Sequence, residues 1–312
     1  MNKKYFYHFS YQDGELALAS CIYKLMFNKE KLEKFILSDN DIDVNSSVFL
    51  HFKVTVLIEG TSLNDLLDKI TSLDYHDWYL NMWHYDKNIN YQKRMEITKK
   101  IALALKNEGN IKNPKLQLQW FTFSGIWYLG ILERNPYTYK LRIAKPYQYS
   151  NALSVRLAHQ IIQLTTYLPN NSIIDPCCGI GTVVIEGLIA KKNIVGCEIN
   201  EQIKNNALRN LQHFNLPNRI FCQDMLEINE LFDIAIIDIP YGLYNTFEKQ
   251  QQLALLTKAI TICRYLILIS ISDFDDYLIQ HNASIFIKTS TTKAKFTRQI
   301  TIFQTPQINH KD

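Results

Sequence analysis

The sequence predicts an α/β protein with an α+β N-terminal half and a C-terminal half built on a parallel sheet. Its 312 residues suffice for about two domains, each with a core of its own. Hydrophobic residues make up 47% and charged residues 21%, which excludes the disordered and collagen-like classes. From residue 146 onwards short apolar strands alternate with helices, and such alternation predicts a parallel sheet covered by helices on both faces.

The N-terminal half begins with a strand in KYFYHFSY and a helix in ELALASCIYKLMF. The apolar run VFLHFKVTVLIE predicts a second strand, and an amphipathic helix follows over 62–73. Another helix is expected over 91–107, ending at Gly109. KLQLQWFTF then pairs with WYLGILE in a hairpin that turns at Ser124 and Gly125.

The C-terminal half begins with a helix over 150–166, which the strands SIID, NIVGCE, RIFCQD, DIAIID and YLILIS follow. Helices over 182–190, 201–214 and 248–262 lie between them. Ligands of such sheets bind outside the carboxyl ends of the strands. The polar residues at those ends are therefore the candidates for a functional site.

The first strand ends in DPCCGIGT, where Asp175 is followed by Gly179 and Gly181 at the start of a helix. Glycines at these positions allow a tight turn and a close approach of the backbone to a ligand. Val184 stands where a dinucleotide-binding fingerprint has its third glycine, which counts against NAD. The ligand has to be identified from the neighbouring strand ends.

Acidic residues follow the next two strands. Glu198 is placed to accept both ribose hydroxyls of a nucleoside. Gln223 and Asp224 come after the third strand, where they can receive an adenine amino group. Together with the glycine turn, these residues predict an adenosine site.

The fourth strand ends in DIPYG. Asp238 and the carbonyl of Ile239 can accept hydrogen bonds from an amino group, while Pro240 stiffens the backbone and Tyr241 offers a flat face for a planar base. A conjugated exocyclic amine is a poor nucleophile because its lone pair is delocalised into the ring. Acceptors that hold its hydrogens out of the ring plane let the nitrogen approach a methyl donor in line, so catalysis rests on positioning and electrostatics.

The order DPCCGIGT, GCEIN, QDM, DIPYG resembles the class I S-adenosylmethionine-dependent methyltransferases that act on amino groups, whose fourth motif is Asp/Asn-Pro-Pro-Tyr/Phe. KPYQYSNALSVRLAHQIIQL, the GLY after DIPY and FTRQITIF are similar to THUMP-domain tRNA guanosine-N2 methyltransferases. The resemblance implies a Rossmann-like methyltransferase domain with a mostly parallel seven-stranded sheet over 146–312. The stretch 91–133, with IKNPKLQLQW and IWYLGILER, resembles the end of a THUMP domain. The resemblance therefore also implies an α+β RNA-binding region before the methyltransferase domain, ferredoxin-like over 1–80 and THUMP-like over 81–145.

The same resemblance implies transfer of a methyl group from S-adenosylmethionine to the exocyclic N2 amine of a tRNA guanosine. Asp238 and the Ile239 carbonyl are implied to bind the amine, and Tyr241, after Pro240, to stack on the base. Ile239 replaces the first proline of the family pattern. The residues implied to contact the donor are Asp175, Cys177, Gly179, Gly181, Thr182, Glu198, Ile199, Asp224, Met225 and Asp238.

The positive charge of the chain lies in its N-terminal half. Residues 1–150 hold 20 basic and 16 acidic residues, whereas 151–312 hold 14 of each, so the net charge of +4 comes from the first half alone. Residues 87–115 contain eight basic and two acidic residues. We interpret this pattern as a surface that faces tRNA phosphates. Its members are Lys93, Arg94, Lys99, Lys100, Lys112, Arg142 and Lys145.

The six cysteines include no C-x-x-C pair, and no histidine pair lies at zinc-finger spacing from them. We therefore expect free thiols, a reducing compartment and no metal site. The longest apolar run, YLILISIS, is far shorter than the ~20 residues of a membrane helix, which predicts a cytoplasmic protein without a membrane partner. A homodimer and a small activating subunit both stay open.

Other functions fit the same motifs. Adenine-N6 of DNA and the glutamine side chain are methylated by proteins with the same fourth motif, and Ile239 in place of proline is compatible with a non-catalytic tRNA-binding protein. Cys177 and Cys178 precede the glycine turn, where packing is expected and not the nucleophilic role that C5 methyltransferases give a cysteine. The target guanosine, such as position 6 or 10, and the number of methyl groups added stay open.

Overall fold

The computed structural model describes residues 3–81, 89–106, 108–149, 152–169, 172–239, 249–293 and 296–306. These residues divide into two units that interleave along the chain. The first unit comprises the described residues of 1–10, 33–45 and 49–136. The second unit comprises those of 11–32, 46–48 and 137–312, so it includes helix α1 (Leu16–Phe27).

Six strands of the first unit form one sheet. They are β1 (Tyr5–Phe9), β2 (Phe35–Ser38), β3 (Leu50–Gly60), β4 (Trp78–Asn81), β5 (Leu116–Phe123) and β6 (Ile126–Arg134). Their order is β2-β1-β3-β6-β5-β4, and every pair is antiparallel except β4 with β5. Helices α2 (Leu63–Ile70) and α3 (Tyr91–Ala104) contribute Leu66, Ile70, Ile97 and Ile101 to a buried cluster of this unit.

The predicted hairpin is confirmed. β5 and β6 pair across Ser124 and Gly125, whose φ angles of 52° and 79° both lie in the left-handed region. Two successive left-handed residues form the type I′ turn, whose twist matches that of antiparallel strands. Helix α3 is shorter than predicted, because the backbone becomes extended at Leu105, and Gly109 bridges to Trp78 instead of capping the helix.

The predicted boundary between the ferredoxin-like and THUMP-like regions falls at residues 80 and 81. Both residues lie within β4, which belongs to the same sheet as the strands on either side of it in the chain. The two region assignments, 1–80 and 81–145, stay predictions.

The second unit is built on a seven-stranded sheet in the order β12-β13-β11-β10-β7-β8-β9. The strands are β7 (Ile173–Asp175), β8 (Ile194–Glu198), β9 (Ile220–Cys222), β10 (Phe232–Asp238), β11 (Cys263–Ser270), β12 (Ser284–Lys293) and β13 (Phe296–Gln304). β7 to β11 are parallel, and β13 is antiparallel to both β11 and β12. Its later helices are α4 (Val155–Thr165), α5 (Thr182–Ile189), α6 (Glu201–His213), α7 (Lys249–Ile262) and α8 (Asp275–Gln280). The predicted Rossmann-like, mostly parallel fold is confirmed.

Helix α1 is present as predicted, and it packs within the second unit. Glu15, just before α1, accepts hydrogen bonds from Arg156 of α4 at 2.7 and 2.8 Å and from Gln160 at 3.2 Å. The carbonyl of Gly14 accepts from the Thr292 N–H of β12 at 2.8 Å. An N-terminal segment therefore completes a unit whose other elements come from the second half of the chain.

Across the described ranges, no helix combines the length and the apolar character that crossing a bilayer requires.

Candidate functional site

The polar strand ends of the second unit meet at one edge of its sheet. β10, β7, β8 and β9 are successive parallel neighbours, so their carboxyl ends lie side by side. A cavity of about 700 Å³ opens there, a size typical of small-molecule sites. Asp238, Asp175, Glu198 and Asp224 line it, one from each of the four strand ends.

The glycine turn after β7 has the geometry that the sequence predicts. Gly179 and Gly181 have backbone φ angles of 54° and 79°, which residues other than glycine rarely adopt. A Cβ at Gly181 would stand 2.8 Å from Cδ1 of Ile220 in β9. The turn leads directly into α5, whose first residue, Thr182, lines the cavity.

At the end of β8, backbone N–H groups hold the carboxylate of Glu198. Oε2 of Glu198 accepts from the Gly179 N–H at 3.1 Å, and Oε1 accepts from the Asn200 N–H at 2.9 Å. These bonds tie β8 to the glycine turn and orient the carboxylate at the cavity wall. The neighbouring Ile199 also lines the cavity and is 67% exposed, so it offers an uncovered apolar surface beside the acid.

Asp224 lies just after the end of β9. Its Oδ1 caps the short 3₁₀ turn that follows by accepting from the Leu226 N–H at 2.9 Å. Gln223, Met225 and Leu226 line the cavity next to it. A carboxylate flanked by apolar side chains fits a planar heterocycle with an amino group.

Asp175 is almost fully buried at the end of β7, with 5% of its surface exposed. Burial raises the pKa of Asp175 to about 8, and the negative charges of Asp238 and Glu198 add to the rise. The backbone N–H of Cys177 opposes it by hydrogen bonding to the carboxylate. A cation placed in the cavity would stabilise the ionised form of this acid.

Asp238 is the most informative side chain of the site. Its Oδ1 is buried and has no hydrogen-bond partner among the described residues. Burial raises the pKa of Asp238 to about 7, against the opposing positive charge of Arg298. Buried acceptors are almost always satisfied, so this oxygen is a candidate to accept a hydrogen bond from a ligand in the cavity.

Ile239 follows Asp238 at the cavity wall. Its side chain is 1% exposed, and its N–H donates to the carbonyl of Ile269 in β11 at 3.0 Å. The apolar side chain in place of proline is therefore part of the core beneath the site. The predicted roles of Pro240 and Tyr241 fall on residues outside the described ranges.

The two cysteines before the glycine turn are thiols packed in the site wall. Sγ of Cys177 lies 3.4 Å from Sδ of Met225, and Cys178 is buried. Burial raises the pKa of both thiols well above the usual value, with the charge of Asp175 as the next cause. Because the nucleophile of cysteine catalysis is the thiolate, this environment disfavours such a role.

The sequence patterns do not predict two walls of the cavity. Tyr149 and Leu153 come from the segment before α4, and Gln251 and Leu255 come from α7. The first wall overlaps the KPYQYSNALS stretch that carries the family resemblance, which is the signal that could have identified it. The second has no local signal, because a helix that lines a pocket has the same periodicity as one that only covers a sheet.

The predicted phosphate-facing residues divide between surface and interior. Lys93, Lys99 and Lys100 of α3, and Lys112, are exposed, and Arg94 is half-buried. Glu96 forms ion pairs with Lys93 and Lys100, each at 3.0 Å. Whether these basic residues of the first unit contact RNA stays a prediction.

The placement of Arg142 and Lys145 on that surface is wrong, because both are buried in the second unit, with 5% and 7% exposure. Arg142 forms a two-pronged ion pair with Glu186 of α5, with its Nη2 2.6 Å from Oε2. Nζ of Lys145 donates to Oγ1 of Thr182 at 2.6 Å. Neither cation can reach a phosphate in solvent.

The residues of the cavity fit S-adenosylmethionine. Acids at adjacent strand ends suit the ribose and the adenine amine, and the described lining includes four carboxylates and no basic side chain, which suits a positively charged ligand. The unpartnered Asp238 oxygen leaves an acceptor beside this site for a second molecule with a donor group. Over the described ranges, no cluster of three or more metal-ligating side chains occurs.

Comparison with known proteins defines the class. Residues 142–262 match the family model described as UPF0020: RMKL-like, methyltransferase domain. TrmN from Thermus thermophilus has a similar fold, with a TM-score of 0.50 at 13% identity over 97% of this chain and 100% of that one. The second unit thus has a Rossmann-like fold, and its residues 142–262 are similar to a methyltransferase domain.

Curated relatives show which methyltransferases the chain is similar to. The chain is 26% identical over 119 residues to the tRNA (guanine(10)-N2)-dimethyltransferase of Methanothermobacter thermautotrophicus, covering 37% of this chain and 35% of the relative. It is 21% identical over 276 residues to the enzyme of the same name from Methanocaldococcus jannaschii, covering 74% and 78%. The predicted resemblance to tRNA guanosine-N2 methyltransferases is confirmed, and the chain spans about a third of the first relative's length.

Proposed function

We propose that this protein is a tRNA methyltransferase that transfers a methyl group from S-adenosylmethionine to the exocyclic N2 amine of a guanosine. The observation that carries the proposal is the buried Oδ1 of Asp238, which has no hydrogen-bond partner among the described residues and lies at a strand end beside the cavity. A base amine offers the hydrogens that this oxygen lacks. The names of the curated relatives point to the same reaction.

The donor site is assigned to the three strand ends beside Asp238. Glu198 holds the ribose, Asp224 receives the adenine amine, and Asp175 with the glycine turn lies under the remaining part of the donor. When bound, S-adenosylmethionine supplies a methyl group activated on a positively charged sulfur. Of the other residues assigned to the donor, Cys177, Ile199 and Met225 form apolar parts of the wall.

The acceptor site is assigned to the end of β10. Asp238 and the Ile239 carbonyl accept the two hydrogens of the guanine amine, which directs the nitrogen lone pair out of the ring plane. Only the carboxylate form of Asp238 provides full acceptor strength and stabilises positive charge that develops on the nitrogen. A nearby cation lowers the pKa of a carboxyl group, so a bound sulfonium favours this form.

The RNA is assigned to the exposed basic residues of the first unit, Lys93, Lys99, Lys100 and Lys112 with Arg94. Turning a guanosine out of its helix costs a few kcal/mol of stacking, which phosphate contacts offset. A tRNA substrate is consistent with the expected cytoplasmic location. The ferredoxin-like and THUMP-like assignments are part of this proposal.

The proposal is tested with Asp238→Ala. Methylation of tRNA should fall by roughly a hundredfold or more, because the amine loses its charged acceptor, while S-adenosylhomocysteine still binds. Asp238→Asn is the matched control for shape, since it keeps an acceptor oxygen and removes the charge, and it should retain intermediate activity. Methyl transfer is measured with total tRNA, DNA and protein as acceptors, followed by mass spectrometry of the nucleosides.

Unchanged transfer by Asp238→Ala would remove Asp238 from the mechanism, and methylation of DNA or protein in place of tRNA would overturn the substrate. The same assay, run on the purified chain alone, decides whether a small activating subunit is required. The mass of the purified protein in solution distinguishes a monomer from a homodimer.

A further inference from the structure

Lys145 is a buried cation behind the wall of the donor cavity. It is 7% exposed, and its Nζ donates to Oγ1 of Thr182 at 2.6 Å. Among the described residues no carboxylate lies within ion-pair distance of it, and the charge of Glu186 acts on it from farther away. Burial lowers the pKa of Lys145 to about 8, and the charge of Glu186 opposes this shift.

The segment that carries Lys145 is held beside the glycine turn. Asn210 of α6, which is fully buried, accepts from the Tyr147 N–H at 3.0 Å and donates to the Tyr147 carbonyl at 3.1 Å. The same side chain donates to the carbonyl of Ile180 at 3.1 Å. One amide thus ties the backbone of Tyr147, two residues after Lys145, to the glycine turn.

The contact with Lys145 determines what Thr182 can do. A hydroxyl carries one hydrogen and accepts through its lone pairs, so an oxygen that accepts from an ammonium group retains its own O–H as a donor. Thr182 lines the cavity at the first position of α5, where backbone N–H groups also favour negative charge. The pair therefore presents a donor with a positive charge behind it.

The other residues that line the cavity indicate which ligand group the Thr182 hydroxyl binds. The cavity wall carries four carboxylates and, within the described residues, no lysine, arginine or histidine. S-adenosylmethionine ends in an amino acid, so its own carboxylate enters a site of like charge, at a cost unless a cation compensates it. With the adenosine at the ends of β8 and β9, the amino acid portion falls to β7 and the start of α5.

We propose that Thr182 donates a hydrogen bond to the carboxylate of the donor's amino acid portion and that Lys145 compensates its charge from behind the hydroxyl. Lys145 is then a positioning residue that acts through Thr182. Asp175, on the other side of the glycine turn, is suited to the ammonium group of the same amino acid. The inference rests on the proposed function, since it requires an adenosyl donor in this cavity.

The experiment compares two ligands that differ in the amino acid portion. S-adenosylhomocysteine carries the carboxylate and 5′-methylthioadenosine does not, and both are titrated calorimetrically into the full-length protein. In Lys145→Met we expect a loss of roughly tenfold or more in affinity for S-adenosylhomocysteine and less than about a twofold change for 5′-methylthioadenosine. Thr182→Val should also lose affinity for S-adenosylhomocysteine and keep its affinity for 5′-methylthioadenosine. The double variant should bind S-adenosylhomocysteine little more weakly than either single variant, because the two residues act as one unit.

Lys192→Met is the matched control. Burial also lowers the pKa of Lys192, but this residue follows the far end of α5 and does not line the cavity. It should bind both ligands as the wild type does. Should Lys145→Met fail to fold, Thr182→Val measures the same ligand preference.

Equal losses for both ligands would mean that Lys145 only supports the glycine turn, and the inference would be overturned. Unchanged affinity of Lys145→Met and Thr182→Val for S-adenosylhomocysteine would overturn it as well, while the proposed function stands. A wild-type protein that binds neither ligand would overturn the proposed function and the inference with it.

Discussion

The two units of this protein hold their charges in opposite ways. On α3 of the first unit, Glu96 lies between Lys93 and Lys100 on an exposed helix face, where water solvates each ion. In the second unit, Arg142, Glu186 and Lys145 are buried, and Asp175 and Asp238 have raised pKa values because burial penalises their charged forms. The first arrangement suits long-range attraction of a polyanion, and the second suits a small ligand that completes the charge balance.

The largest expected effect concerns the buried ion pair. In Arg142→Met, the carboxylate of Glu186 loses its two-pronged partner and, among the described residues, keeps the contact with His159 at 2.9 Å. We expect a loss of about 3 to 5 kcal/mol in the free energy of unfolding, measured by urea denaturation. Lys100→Met, which breaks the exposed pair with Glu96, is the control and should leave stability unchanged within error. Equal effects would abolish the distinction between the two units.

Two glycines, one in each unit, share a backbone conformation and differ in what surrounds them. Gly181 and Gly125 both have φ of 79°, so alanine at either costs about 1 to 2 kcal/mol of stability. At Gly125 an added Cβ meets open space, whereas at Gly181 it stands 2.8 Å from Ile220. Gly181→Ala should also weaken binding of S-adenosylhomocysteine, measured by calorimetry, and Gly125→Ala should not. Similar binding in both variants would separate the glycine turn from the donor site.

The raised carboxyl pKa values predict how pH acts on the second unit. Folding holds the protons of Asp175 and Asp238 more tightly than the unfolded chain does, so their contribution to stability is present below the usual value of 3.8 and is lost as pH rises through about 7 and 8.

The affinity for a cationic donor should change with pH in the opposite direction to this stability contribution. A sulfonium lowers both pKa values, so S-adenosylmethionine should bind with release of protons and with affinity that rises from pH 6 to pH 8. S-adenosylhomocysteine lacks that charge and should show a shallower dependence. Calorimetry in two buffers of different ionisation enthalpy measures the protons released. Equal proton release with both ligands would contradict the assignment of the sulfonium to these acids.

The smallest expected effect is on the RNA side. Replacing Lys99 and Lys100 with alanine should raise the KM for tRNA a few-fold and leave kcat unchanged. The slope of log affinity against log salt should become shallower by roughly 0.7 to 0.9 for each phosphate that the variant no longer neutralises. Lys192→Ala in the second unit is the control for loss of a single positive charge away from this surface, and it should change neither the KM nor the salt slope. A KM and a salt slope that do not change would remove these two lysines from the RNA surface.

Local patterns alone suffice to predict much of the site. The glycine turn, Glu198, Asp224 and Asp238 are all predictable because parallel strands bring their carboxyl ends to one edge, whatever packs around them. The hairpin at Ser124 and Gly125 is predictable for a similar reason, since a two-residue turn is set by its own backbone angles.

Which unit a segment joins, and which charges are buried, depends on packing between elements that are distant in the chain. Helix α1 has the periodicity of any amphipathic helix, and nothing in its residues says that it packs beside β12 of the second unit. Arg142 and Lys145 look like surface cations in sequence, yet Glu186 and Thr182 receive them in the interior. Periodicity and motif spacing record which face of an element is apolar, whereas burial of a charge depends on partners distant in the chain, and those partners exist only once the elements have packed.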